Sequence, residues 1–235
     1  MKEFFIGSVI VAAYIIAAIL VTLIAQRLLG LSGEPLRKAL HFIFLGAYIP
    51  MVLAFGRWWQ AAIFAGILIA LVFPFLAIVK RVPILSPLLI ERWRGEFSLS
   101  MLMALFMMLI SIVLCWGIFD DRSLVLACIY AWGVGDGFAA LVGKRFGRHK
   151  IKWRFADPDK SAEGVAVMLI LSFVSPLAVL LIRGGLSLSA CLIISALSAV
   201  ACTTAELCAK RGYDTVICHA VAMAVILPLV RLFGI

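Results

Sequence analysis

Apolar residues along this chain run in long unbroken stretches that neither alternate nor give way to polar residues on one helical face. Read between charged positions, the stretches fall at 4–26, 39–56, 59–79, 97–119, 123–143, 163–182, 186–209 and 214–230. Each is near the roughly 20 residues that a helix needs to cross a bilayer. The inward-outward alternation of a membrane β-barrel is absent. The pattern predicts an all-α, polytopic integral membrane protein with about eight transmembrane helices. Between the third and fourth runs, Pro83 and Pro87 precede the charged ERWRGE, so 82–96 reads as an amphipathic segment at the interface. The first run follows Lys2 and is longer than a signal-peptide core, and is therefore expected to be a retained span.

Composition agrees and closes off other classes. Of 235 residues, 65% are hydrophobic and 14% charged, with a mean hydropathy of +1.17. Soluble domains carry about 25% charge, so a soluble enzyme, a disordered protein and a secreted module are excluded. The length leaves no sizeable extramembrane domain, and 1–235 reads as one transmembrane domain. Within it, 1–96 forms the N-terminal helices and 97–235 the helices that carry the chemistry. The six cysteines lie inside or at the ends of apolar runs, with no CxxC and no His at ligand spacing. They read as small reduced thiols.

The net charge of +9 points to a membrane surface once the charges are located, and not to nucleic acid. Eight spans leave both termini on one side. Sixteen of the 21 Lys and Arg fall on the opposite side and five on the side of the termini. By the positive-inside rule the basic loops are cytoplasmic and both termini extracytoplasmic. In a prokaryote this would be the inner membrane.

Acids at membrane depth are costly and mark function. Nine of the 12 acids lie on the basic side. Four of them, Asp136, Glu163, Glu206 and Asp214, sit within or at the ends of the last four runs, where helix packing could gather them around one interfacial pocket. Four carboxylates beside a loop with seven Lys and Arg (144–160) suit Mg²⁺ with a polyphosphate. Local pairing is the plainer reading: Glu206 with Lys210 at i,i+4, and Asp214 at a helix N-terminus.

Within WGVGDGFAALVGKRFGRHK (132–150), Gly135, Ala139, Gly143 and Gly147 recur every four residues. Such a stripe admits either a neighbouring helix or a nucleotide. Asp136 inside it tips the reading toward a site, although the Walker A spacing is missing. In DPDKSAEG (157–164), Asp157 and Pro158 fit an N-cap and first helical position. Lys160 at the helix entry can face a phosphate, and Glu163 has no evident partner but a metal. RKALH (37–41) puts Arg37 and His41 on one helical face, beside Lys38, for phosphate or as an interfacial anchor. His149 reads as part of the basic loop and His219 as a core histidine.

Together these segments resemble the CTP-dependent lipid-alcohol kinases (dolichol kinase, phytol kinase and CTP-dependent diacylglycerol kinase), a family related to the CDP-diacylglycerol synthases. The matching elements are RKxxH at 37–41, GDxxAxxxGxxxG at 135–147 and KSxEG at 160–164, with Glu206 and Asp214 as a looser match. The resemblance covers residue 37 to about 228. It implies nucleotide and metal roles for Asp136, Lys160 and Glu163, with Asp136 and Glu163 on Mg²⁺, and essential roles for Arg37, Lys38 and His41. Two departures stand out. The family often follows its last acid with Asn and then Pro, where this chain has Thr215 and His219. The synthases' glycine-rich stretch, with two Asp flanking an Arg, has no counterpart in 203–219, which favours phosphoryl over cytidylyl transfer.

The expected reaction is phosphoryl transfer from CTP to a membrane lipid alcohol, diacylglycerol or an isoprenoid alcohol, giving its monophosphate. Lys160, with Lys144 or Arg148, would neutralise the transferred group, and Glu206 or Asp214 would orient or deprotonate the hydroxyl. Gly135, Gly143, Gly147 and Ser161 would line the nucleotide side. The alternative is a phosphatidate cytidylyltransferase on the same pocket. A transporter fits less well, since the acids cluster at one face and the first four runs lack intramembrane charge. An oligomer is compatible with all of these.

Overall fold

The computed structural model describes residues 1–82, 85, 89, 95–153, 160–209 and 213–234. Most of the interfacial segment expected at 82–96, the Asp157–Pro158 cap and Lys210 lie outside the described residues. Among those described there is no strand, and eight helices are long and apolar enough to span a membrane. They are α1 Lys2–Leu29, α2 Gly33–Leu53, α3 Trp58–Arg81, α4 Glu96–Ser111 continuing as the π-helical Ile112–Ile118, α5 Arg122–Phe146, α6 Ala162–Arg183, α7 Leu188–Cys208 and α8 Asp214–Phe233. The chain is an integral membrane protein of all-α class.

Local chemistry explains the boundaries. Gly30, with φ 63°, takes the left-handed conformation that ends α1. Asp121, Ser161 and Ser187 cap α5, α6 and α7, each accepting a backbone N–H at 2.9–3.2 Å. The cap of α6 is thus Ser161, next to the helix. Interior prolines at 50, 74, 176 and 228 are carried within helices, as membrane spans allow. The second helix begins six residues before the apolar run, so Arg37, Lys38 and His41 lie inside its first turns. The fourth span changes from α to π, where Phe119 N–H reaches Leu114 O, five residues back, at 3.0 Å.

The chain divides into two compact units, Met1–Val113 and Leu114–Ile235, with the boundary in the π-helical stretch. In the first unit α1 packs on α2 and α3 on α4, over a core that includes Leu36, Tyr48, Met51 and Phe55. Tyr14 of α1 donates its hydroxyl to Ile43 O at 3.0 Å, close over Gly46.

In the second unit α5 is central, packed against α6, α7 and α8, while α6 meets α7 and α7 meets α8. The stripe of small residues explains the closest of these packings. A Cβ built on Gly135 would lie 2.6 Å from Ser172 Oγ and 2.7 Å from Met168 Sδ, both on α6. One built on Gly164 of α6 would lie 3.1 Å from Ala139 O of α5. The stripe therefore faces α6, with Gly143 and Gly147 against Ser161. At the other end of the pair, Arg183 Nε donates to Asp121 Oδ2. All six cysteines are free; five are buried and Cys208 is exposed.

Candidate functional site

The second unit gathers one cation and three acids at the end of its helices where α6 begins. Lys160 stands just before the Ser161 cap, and its ammonium donates to Glu206 Oε1 in the last turn of α7. Glu206 is almost fully buried; the Lys160 side chain keeps 27% of its surface exposed. Burial alone would lower the Lys160 pKa, but Glu206, Asp136 and Asp214 together hold it above its ordinary value. Asp136, buried on α5, and Asp214, the first residue of α8, act on the ammonium through their charge. Three helices therefore contribute one carboxyl group each to the surroundings of a single ammonium. Asp214 also accepts the N–H of Thr215 at 2.9 Å.

Glu163 belongs to a different arrangement. Its carboxylate accepts the N–H of Arg148 at 3.1 Å and of His149 at 3.3 Å, and meets His149 Nδ1 at 2.8 Å. The carboxylate accepts, so Nδ1 carries the proton. Glu163, which has no evident protein partner in the sequence, thus meets a histidine and two backbone amides of the basic loop. Two further bonds continue the fastening: Ile151 N–H to Lys160 O at 3.1 Å, and Ala162 N–H to His149 O at 2.9 Å. The loop after α5 is laced to the entry of α6, and Lys160 is one of the laced residues.

The other expected residues are placed as follows. Ser161 is buried and spends its hydroxyl as the cap of α6. Gly135, Gly143 and Gly147 pack on α6. Lys144, in the last turn of α5, and Arg148, on the loop after it, are exposed. Arg37, Lys38 and His41 belong to the first unit. There Arg37 pairs with Glu34 and lies 4.0 Å from Glu96, Lys38 is buried, and His41 sits edge-on to Phe42 at 5.9 Å. His219 is fully buried beside Trp132, 6.1 Å between centroids. The Glu163–His149 contact had no sequence signal beyond a lone His in a basic loop preceding a first-turn acid.

Three carboxyl groups against one ammonium leave an excess of negative charge, and oxygen donors are what Mg²⁺ takes. Among the described residues no three His, Cys, Asp or Glu side chains stand close enough to hold a metal ion as they are. The fit is therefore one of charge and donor type at Asp136, Glu206 and Asp214, while the Glu163 carboxylate is engaged by His149 and two backbone amides. No family model, no curated protein and no solved structure matches the chain.

Proposed function

We propose that this membrane protein is a CTP-dependent lipid kinase, transferring a phosphoryl group to the hydroxyl of a lipid alcohol held in the bilayer. The observation that carries the reading is the convergence of Asp136, Glu206 and Asp214 on Lys160. Phosphoryl transfer asks chiefly for positioning and neutralisation of charge, and this cluster offers both signs at one end of a membrane bundle. Lys160 is the group that neutralises the transferred phosphoryl. It would exchange part of its contact with Glu206 for a phosphate oxygen. The freed Glu206 carboxylate, or Asp214, then orients the hydroxyl and takes its proton. Mg²⁺ would be held by Asp136 with one of these acids, and when bound it supplies charge neutralisation at the phosphates. The reading puts the site on the cytoplasmic side, supported by the sixteen-to-five split of basic residues.

The test is a lipid-alcohol panel (diacylglycerol, polyprenol, phytol, farnesol) incubated with purified protein and CTP labelled at the α or the γ phosphorus. A kinase labels the lipid from the γ position only. With phosphatidate added as a further acceptor, its labelling from the α position, with release of pyrophosphate, would instead make it a cytidylyltransferase, and no labelled lipid from any alcohol would defeat the reading.

A further inference from the structure

The last turn of α5 and the loop that follows it have a chemistry that the phosphoryl-transfer cluster does not use. From Lys144 to Lys152 the chain carries five Lys and Arg, one His and no acid. Among the described residues, the side chains of Lys144, Arg145, Arg148 and Lys152 form no ion pair. Two large aromatic rings, one inside the run and one just after it, are turned outward, Phe146 58% and Trp153 46% exposed. Arg145 stacks its guanidinium 5.4 Å from the centre of the Phe146 ring. This edge is held in place by the bonds of Arg148 and His149 to Glu163 and by the two backbone bonds to Lys160 and Ala162.

The depth of the edge follows from helix length. The 25 residues of α5 rise about 37 Å, against a hydrocarbon core of roughly 30 Å. The last turn of α5, and the loop after it, therefore emerge at the level of the lipid headgroups. Exposed Trp settles at that level because its ring is apolar while its N–H finds a wet partner, and Phe146 beside it adds apolar surface that acyl-chain ends can cover. Unpaired cations there meet whatever negative charge the leaflet carries. Soluble phosphates would satisfy the cations but leave Phe146 and Trp153 in water. We infer that Lys144–Trp153 is a binding edge for anionic phospholipid headgroups, with the two aromatic rings seated among the acyl-chain ends and the cations on the phosphates.

The inference is tested on the full chain in nanodiscs of phosphatidylcholine with a fifth part phosphatidylglycerol. The bromine is placed on the chains of one lipid or the other. Trp153 emission is isolated by subtracting the Trp153→Phe protein, so the reading comes from the otherwise intact chain. The expected result is stronger quenching by brominated phosphatidylglycerol than by brominated phosphatidylcholine, fading at high salt. Arg148→Gln and Lys152→Gln should each lower the phosphatidylglycerol preference by about five-fold, the factor matching roughly 1 kcal/mol per cation at an anionic surface. Arg57→Gln, a cation at the entry of α3, should leave it unchanged. Equal quenching by the two lipids would overturn the inference. So would loss of the preference on adding millimolar pyrophosphate, which would make the edge a site for soluble phosphate.

Discussion

Lys160 and Glu206, 46 residues apart, meet as an ion pair between the entry of α6 and the last turn of α7. Removing the ammonium leaves a buried carboxylate without its partner, which is the expensive way to break such a pair. Lys160→Ala should cost about 2–4 kcal/mol of stability, somewhat under the range for fully buried pairs because the ammonium is partly wet. Lys160→Met with Glu206→Gln should recover most of the loss, since neither charge remains. The pH dependence follows from the raised Lys160 pKa. A folded value above the unfolded one gives stability that is complete below the unfolded pKa and lost as pH rises through the folded one. The difference in melting temperature between wild type and Lys160→Met should be flat near neutrality and shrink above the ordinary lysine value of 10.5. A difference that vanishes between pH 6 and pH 8 would rule out the ion pair as its source.

Glu163 gives a second, opposite expectation. Its oxygens are taken by the amides of Arg148 and His149 and by the His149 ring, so it acts by fastening the loop that carries Lys160. Glu163→Gln should lower turnover by raising the mobility of this segment, and His149→Ala should do the same. The double variant should be no worse than either alone, because both remove one fastening. Added Mg²⁺ should rescue none of them. Rescue of Glu163→Gln by Mg²⁺ would return Glu163 to the metal.

Eight spans were legible because a 20-residue apolar run has only one stable form in lipid. The expected gathering was of four acids, Asp136, Glu163, Glu206 and Asp214, argued from the cost of acids among acyl chains; the charges of Asp136, Glu206 and Asp214 act on Lys160, while Glu163 meets His149. What escaped was partner choice. Lys210, at i,i+4 from Glu206, lies outside the described residues, while the Lys160–Glu206 contact joins two helix ends far apart in sequence and is invisible to local spacing. Glu163 looked unpartnered because the donors it uses include backbone N–H groups, and every residue but proline has one. The glycine stripe admitted a helix or a ligand from sequence, and Asp136 inside it tipped the reading toward a ligand; the side chains of Met168, Ser172 and Ser161 lie against it.

The orientation read from the basic residues needs a probe that does not disturb packing. Gly147 is unsuitable, since a side chain there would collide with Ser161, whereas Lys152 is exposed. In a Lys152→Cys protein on a background lacking the exposed Cys208, a membrane-impermeant maleimide should label only after the cells are opened. A Cys at Met1 should label in intact cells. Labelling of position 152 from outside would invert the topology and remove the cluster from cytoplasmic CTP.

The packing of α5 on α6 makes the last prediction, and it turns on three glycines in different surroundings. A methyl group at Gly135 meets Ser172 Oγ, Met168 Sδ and, at 3.0 Å, the Met168 carbonyl; at Gly164 it meets the Ala139 carbonyl at 3.1 Å. Carbonyls move only with their helix, so Gly135→Ala and Gly164→Ala must push α5 and α6 apart. Overpacking of this kind costs about 1–3 kcal/mol, against a gain of up to about 1 kcal/mol from replacing a helical glycine. Gly66, inside α3, has nothing within 4 Å of the same methyl position. Gly66→Ala should therefore keep only the gain and melt at or above wild type, while Gly135→Ala and Gly164→Ala melt below it. The Gly164 variant that remains folded should keep the KM for CTP, because the stripe is filled by α6 and not by the nucleotide. Melting of the Gly135 and Gly164 variants at the wild-type temperature, with a raised KM, would mean that the stripe holds a ligand against α5.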